Sequence, residues 1–297
     1  MLHFPVLLEE SVEFLITNPD GNYIDCTFGR GGHSQRILKK ISSQAKLTSF
    51  DKDAEAYKFA QQFKASNFSI NHESFNCLSK HFDESSIDGI LYDLGTCSTH
   101  LDNGERGFSF MRNGPLDMRF NTKKGQPLSD WINTAPFEEI LNVLYEYGDE
   151  KHAKLISNAI IDHREKQKIL TTFDLAHIIE DCYPGKRKKI HPATKSFQAF
   201  RIYLNDELAE LSNSLIHAKR LLKKNGIIVV ISFHSLEDNI VKNFFKAEIK
   251  NYPKDIPINN EEFKEFECIA KKVRPSAKEI ELNNRSRSAI MRVFKKL

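Results

Sequence analysis

Hydrophobic positions along this chain follow two rhythms, one of short apolar runs and one of helical spacing. Val12, Leu15 and Ile16 recur at helical spacing within Glu9 to Ile16. Asn22 to Cys26 is a short apolar run with β-branched and aromatic residues, which predicts a strand. Gly29, Gly31 and Gly32 follow at once, and His33 to Ile41 returns to helical spacing. Leu47 to Phe50 predicts a second strand ending on Asp51, and Ala54 to Phe63 a helix. Phe68 to Asn71 is a third strand, Asn76 to Phe82 a weak helix, and Ile87 to Tyr92 a fourth strand ending on Asp93. Such strand–helix alternation predicts an α/β architecture, a parallel sheet with helices on both faces.

After Asp93 the rhythm breaks. Leu94 to Gly125 is rich in glycine and turn residues, and structureless stretches of that length are usually functional. Pro127 to Cys182 carries only helical periodicity and reads as an all-helical insertion. Ser196 to Lys224 predicts one long helix stopped by Gly226, and Ile227 to Ser232 a strand buried on both faces. Ser235 is placed to cap a further helix, with Glu237 and Asp238 in its first turn. Cys268 to Val273 and Ala289 to Phe294 predict an antiparallel closing pair. The expected division is a core in two parts, residues 1–108 and 201–297, around a helical insertion at 109–200.

Composition narrows the class. The 297 residues are 40% hydrophobic and 28% charged, with a net charge of +3, which permits a nucleic-acid partner without requiring one. Five scattered cysteines without a C-x-x-C pair argue against a zinc site or a disulfide framework, and for a reducing compartment. The opening residues lack a basic stretch, and Glu9, Glu10 and Glu13 interrupt their apolar run, so neither a signal peptide nor a membrane span is expected. A cytoplasmic protein without a metal is the expectation.

Candidate chemistry collects where an open α/β sheet places its ligand, at the carboxyl ends of its strands. The glycine turn follows strand one, and its spacing G-x-G-G differs from the G-x-G-x-x-G of dinucleotide folds. Asp51, ending strand two, offers two oxygens side by side to the hydroxyls of a ribose. Phe75, after strand three, either packs on an adenine or joins the core. Asp93 ends strand four. This arrangement serves NAD or S-adenosylmethionine; the compact turn, with no pyrophosphate to satisfy, and the closing hairpin favour the latter. Tyr183 to Arg201 carries six Lys or Arg and no acid: Lys186, Arg187, Lys188, Lys189, Lys195 and Arg201. With Phe197 and Phe200 beside it, this run predicts an RNA-contacting edge. His234 either touches a target base or is structural.

Taken together, HFPVLLEE, DCTFGRGGHS, DGILYDLG, RGFSF, GPLDMR, HPATKSFQAFR, ISFHSLED and NNRSRSA resemble the bacterial 16S rRNA (cytosine-N4)-methyltransferase family, MraW or RsmH. The motifs run in order from His3 to Ala289. The resemblance implies a Rossmann-like S-adenosylmethionine-dependent core with a helical insertion. It implies a cytosine in the decoding region of 16S rRNA, within the small ribosomal subunit, as target. It implies cofactor contacts at Gly31, Gly32, His33, Asp51, Phe75 and Asp93, and at His100. That last position lies in DLGTCSTHLD, where the family has D-L-G-x-S-S-P-Q-L-D, so His100 stands in place of glutamine and Cys97 in place of serine. A homodimer is a further expectation.

Methyl transfer to an aromatic amine needs an acceptor for the amine N–H, because the nitrogen lone pair is delocalised into the ring. Asp93, with the backbone oxygens of Leu94 to Thr96, occupies the expected place, and Asp93 is the catalytic candidate. One rival is methylation at cytosine carbon five by a Cys97 thiolate, which relatives carrying serine there argue against. Others are a nicotinamide oxidoreductase and a non-catalytic RNA-binding assembly factor.

Overall fold

A computed structural model describes residues 5–183, 191–246 and 265–297, which form two compact units. The first comprises Met1–Gly95 and Leu208–Leu297; the second is Thr96–Glu207. The helical unit thus extends beyond the expected 109–200 at both ends, because the turn-rich stretch after Asp93 packs into the helical core through Phe108, Leu116, Met118 and Phe120.

The first unit is a seven-stranded sheet. Its strands are β1 (Asn22–Asp25), β2 (Lys46–Phe50), β3 (Phe68–Asn71), β4 (Ile87–Asp93), β5 (Leu222–Ser232), β6 (Phe266–Val273) and β7 (Ile290–Lys296). They lie in the order β3-β2-β1-β4-β5-β7-β6. The first five are parallel, and β7 runs antiparallel to both β5 and β6. The sheet is therefore mixed, with the expected closing pair at one edge.

Side-chain alternation splits the core in two. Ile24, Ile90, Tyr92, Ile228 and Val230 point to one face, where Leu211, Leu215 and Ala218 of the helix Glu207–Leu221 cover them. Tyr23, Leu91, Ile227, Val229 and Ile231 point to the other, under Val12 and Leu15 of the helix Leu8–Leu15 and Ile37 of the helix Gly32–Leu38. Covering on both faces explains why Ile90 to Tyr92 of β4 and Ile227 to Ile231 of β5 read as unbroken apolar runs. Each such fully buried aliphatic side chain contributes about 1.5–3 kcal/mol.

The long helix expected over Ser196 to Lys224 is two helices, Ala193–Leu204 and Glu207–Leu221. The break falls at Asn205 and Asp206, the latter left-handed at φ 51°. The Asn205 amide donates to the Arg201 and Met118 carbonyls, each at 2.9 Å, and its oxygen accepts from Phe120 N at 2.8 Å. Arg201 O keeps its helical partner, Asn205 N, at 3.1 Å, so the side chain adds a second donor there and ties the break to Met118 and Phe120. The second helix ends at Leu221, ahead of Gly226, since Leu222 already pairs with Ile87 in the sheet.

Within the helical unit, Trp131, Ile140, Leu144, Ile156, Ile160, Leu175, Ile179, Phe197 and Phe200 form the core. Thr171 and Asp174 make a capping box at the start of the helix Thr172–Asp181.

Candidate active site

Asp25, Asp51 and Asp93 end three neighbouring strands and organise the loops that leave them. After β1 the chain runs on between its neighbours, with Cys26 N donating to Leu91 O at 2.9 Å and Phe28 N to Phe50 O at 3.0 Å. Gly29 then turns at φ 55° and donates its N–H to Asp51 Oδ2 at 2.8 Å. The other Asp51 oxygen accepts Asp53 N at 2.8 Å, and Asp53 in turn caps the helix Ala54–Ala60. Asp51 thus ties the glycine turn to the end of β2. Asp93 N donates to Thr27 Oγ1 at 2.7 Å, and its carboxylate, 20% exposed, lies 3.5 Å from His33 Nδ1.

Gly31, at φ 71°, ends the turn ahead of the helix Gly32–Leu38. Only glycine suits it twice over: a Cβ there would lie 2.5 Å from the Phe63 ring and 2.7 Å from the Phe28 ring. A Cβ on Gly32 would lie 2.1 Å from Pro5 Cγ. The space that these two glycines leave is filled by phenyl rings and by Pro5. What the turn offers a ligand is its backbone. His33 is buried and its Nε2 lies 3.1 Å from Val6 O. A carbonyl oxygen only accepts, so Nε2 carries a proton and Nδ1 faces Asp93.

Asp25 is fully buried, and desolvation pushes its carboxyl up to about 6, partly offset by hydrogen bonds from Ser34 and Thr27. Ser34 Oγ donates to Asp25 Oδ2 at 2.6 Å and stands 2.8 Å from Ser49 Oγ. Inspection of the sequence missed Asp25, Thr27 and Ser34. The signal that marked Asp51 and Asp93, an acid at the end of an apolar run, does not mark Asp25, which lies within the run Asn22 to Cys26.

Phe75 opens a short 3₁₀ helix, Phe75–Lys80, and meets Tyr92 edge-on with ring centroids 5.6 Å apart. It is half-buried against the core of the sheet unit. His234, left open between a target-base contact and a structural role, has a side chain only 10% exposed and 3.0 Å from Glu237. Glu237, buried, also accepts Phe233 N at 2.7 Å and His234 N at 3.3 Å, which fixes the loop after β5. The sequence marked Glu237 only as a first-turn acid.

The remaining expected residues lie in the helical unit or outside the described residues. Lys186, Arg187, Lys188 and Lys189 lie outside them. Lys195 is half exposed and reaches Asp149 O at 2.8 Å. Arg201, expected at an RNA-contacting edge, is 15% exposed and gripped bidentately by Glu207 at 2.8 and 2.9 Å, bracing the break between two helices. Phe197 and Phe200 are a correction to that edge, since both are buried in the helical core and offer no stacking surface. His100 is buried and stacks on Phe108 with centroids 5.1 Å apart. Burial pushes the Cys97 thiol up, but hydrogen bonding and charge from His100 outweigh it and leave the thiol below its ordinary value.

The motifs of the turn-rich stretch hold that stretch together. Arg106 donates to the Arg119 and Phe120 carbonyls at 3.1 and 3.0 Å. Asp117 chelates Arg119 through two bonds of 2.8 Å.

Five parallel strands closed by an antiparallel strand inserted between the fifth and the sixth, with a glycine turn and acids at the strand ends, define the Rossmann-like methyltransferase fold. Residues 1–297 match the MraW methylase family, and the chain belongs to it. It is 44% identical to the ribosomal RNA small subunit methyltransferase H of Alteromonas mediterranea, over 99% of this chain and 97% of that one. Identity to the protein of the same name from Idiomarina loihiensis is 43% with the same coverage. Among solved structures, a putative rRNA-methylase from Clostridium thermocellum aligns over the whole of both chains at 10% identity with a TM-score of 0.47.

Proposed function

We propose that this chain uses S-adenosylmethionine to methylate the exocyclic 4-amino group of a cytosine in the decoding region of 16S rRNA, in the small ribosomal subunit. The observation that carries the reading is the junction of glycine turn, Asp51, His33 and Asp93 at the carboxyl ends of β1, β2 and β4. Its charge suits a cationic cofactor: Asp51 and Asp93 are carboxylates, and Arg30, the cation of the turn, is already paired with Glu55 at 3.3 Å. A pyrophosphate would meet acids there. The donor set therefore fits S-adenosylmethionine better than a dinucleotide.

In this reading Asp51 receives ribose hydroxyls and Phe75 borders the adenine. The glycine turn and His33 shape the wall, and Asp93 orients the cofactor. When bound, the cofactor supplies an electrophilic methyl group. The protein's own task is the amine. Carbonyls in the loop after Asp93, beginning with Leu94 and Gly95, accept an amine N–H, which localises the lone pair and stabilises charge developing on nitrogen. In-line placement supplies much of the remainder. The target base must leave its stack to reach such a site. The basic residues Lys186 to Lys189, with Lys195, supply phosphate contacts. No described helix is long and apolar enough to cross a membrane; a ribosomal substrate supports the reading of a cytoplasmic enzyme.

The test incubates the protein with labelled S-adenosylmethionine and small subunits lacking the modification. The expected product is N4-methylated cytosine in the decoding region. Label on carbon five, or transfer that survives Asp93→Ala at a near-normal rate, would sink the mechanism.

A further inference from the structure

The residues that shape the wall of the candidate site are themselves held from the far end of the chain. Leu7 is buried in the left-handed region at φ 51°, a conformation that a leucine keeps only when its surroundings impose it. Its N–H donates to Glu279 Oε1 at 2.7 Å, a bond between residues 272 apart in sequence. Glu279 sits in the helix Ala277–Leu282, whose cap Ser276 accepts Glu279 N at 3.2 Å. Three contacts then lead from the Pro5–Leu7 segment to the site. The Pro5 ring fills the space before Gly32, Val6 O fixes His33 Nε2 at 3.1 Å, and His33 Nδ1 stands 3.5 Å from Asp93.

We propose that Glu279 is a positioning residue for the cofactor wall, acting through the Pro5–Leu7 segment on His33 and Asp93. The proposal rests on the cofactor reading above. Removing the carboxylate leaves the buried Leu7 N–H without its charged acceptor and releases the constraint that holds Leu7 left-handed. Val6 O and the Pro5 ring then lose their fixed places. His33 loses a bond that sets its ring angle, and its contact with the Asp93 carboxylate loosens. Removal of a hydrogen bond to a charged group commonly shifts an equilibrium on the order of tenfold or more.

The full chain is compared with Glu279→Ala, Glu279→Gln and, as a control on the same helix, the exposed Glu281→Ala. Two quantities are measured well below the melting temperature: amide exchange at Leu7, and calorimetric affinity for S-adenosylhomocysteine. In Glu279→Ala, Leu7 exchange should rise, and affinity fall, on the order of tenfold. Glu279→Gln keeps an acceptor and should restore most of both, while Glu281→Ala should match the parent chain. A merely structural role would lower stability while leaving affinity intact. Unchanged affinity in Glu279→Ala, or unchanged Leu7 exchange, overturns the proposal. If the alanine variant does not fold, the glutamine variant decides, since faster Leu7 exchange without weaker affinity overturns it equally. A parent chain that fails to bind S-adenosylhomocysteine sinks the cofactor reading instead, and is told apart because the Leu7 readout needs no ligand.

Discussion

The acids at the strand ends of the sheet unit and those that brace the helical unit work differently. In the sheet unit Asp25, Asp51 and Glu237 each accept backbone N–H groups of loops at the carboxyl ends of strands: Thr27, then Gly29 and Asp53, then Phe233 and His234. In the helical unit Glu139 takes Trp131 Nε1 at 2.8 Å and the Tyr203 hydroxyl, Glu150 takes the Tyr183 hydroxyl, and Glu207 takes Arg201. One set fixes the course of loops beside a site. The other staples side chains of a fold. At the strand ends an acid that gathers backbone N–H groups marks loops beside the candidate site, whereas the same bonding at Asp174 of the helical unit only opens a helix.

The largest expected effect tests the glycine turn. Gly31→Ala should cost roughly 3 kcal/mol or more, from the left-handed backbone and the overlap with two phenyl rings. Urea denaturation measures it, and an unchanged midpoint would mean that the rings yield.

Opposite pH slopes come next. The Asp25 carboxyl is raised in the folded chain, so folding binds a proton more tightly, and stability falls as pH climbs from about 4 to about 6. Asp25→Asn should abolish that fall, worth about 2–3 kcal/mol between pH 4 and pH 7. Asp117 runs the other way. Burial raises it, but hydrogen bonds from Arg119 prevail and lower it, so its contribution is present at neutral pH and disappears on acidification. Denaturation of Asp25→Asn and Asp117→Asn across pH should give differences from the parent chain of opposite slope.

Glu237→Ala should cost about 2 kcal/mol and speed amide exchange at Phe233 and His234, confined to the loop after β5. A uniform loss of protection would assign Glu237 to the core instead. Arg201→Ala should cost about 1 kcal/mol at the helix break. Lys195→Ala, at a half-exposed pair, should stay within about 0.5 kcal/mol while weakening binding to small-subunit RNA. An equal stability loss for both would erase the distinction between brace and surface cation.

Much of the sheet was legible because its strands are covered on both faces, as Ile227 to Ser232 shows, and because turn residues bound them. Asp51 and Asp93 stood out for ending such runs. Asp25 differs in lying within the apolar run Asn22 to Cys26, where an acid carries no end-of-strand signal. The break at Asn205 carries no glycine or proline; it depends on bonds to Met118 and Phe120, which no local pattern displays. Arg201, Phe197 and Phe200 looked like surface because of the basic run beside them, whereas Glu207 holds Arg201 and the helical core encloses the two rings. Glu279 had no signal at all, since its partner Leu7 lies at the other end of the chain.

The place of β7 between β5 and β6 also bears on how the chain is made. Residues of β4 lie beside β5, but the whole helical unit is synthesised between them, and β5 in turn awaits β7 for its second neighbour. During translation β4 presents an unpaired edge while more than a hundred residues emerge, a stage at which wrong pairing and aggregation compete. The helical unit has a core of its own and can condense in that interval, which shortens the effective loop to be closed. Completion of the sheet thus waits until β7, the last of its strands to be made, is available. Nascent chains of this protein should be most dependent on chaperones in the window between residue 93 and residue 296.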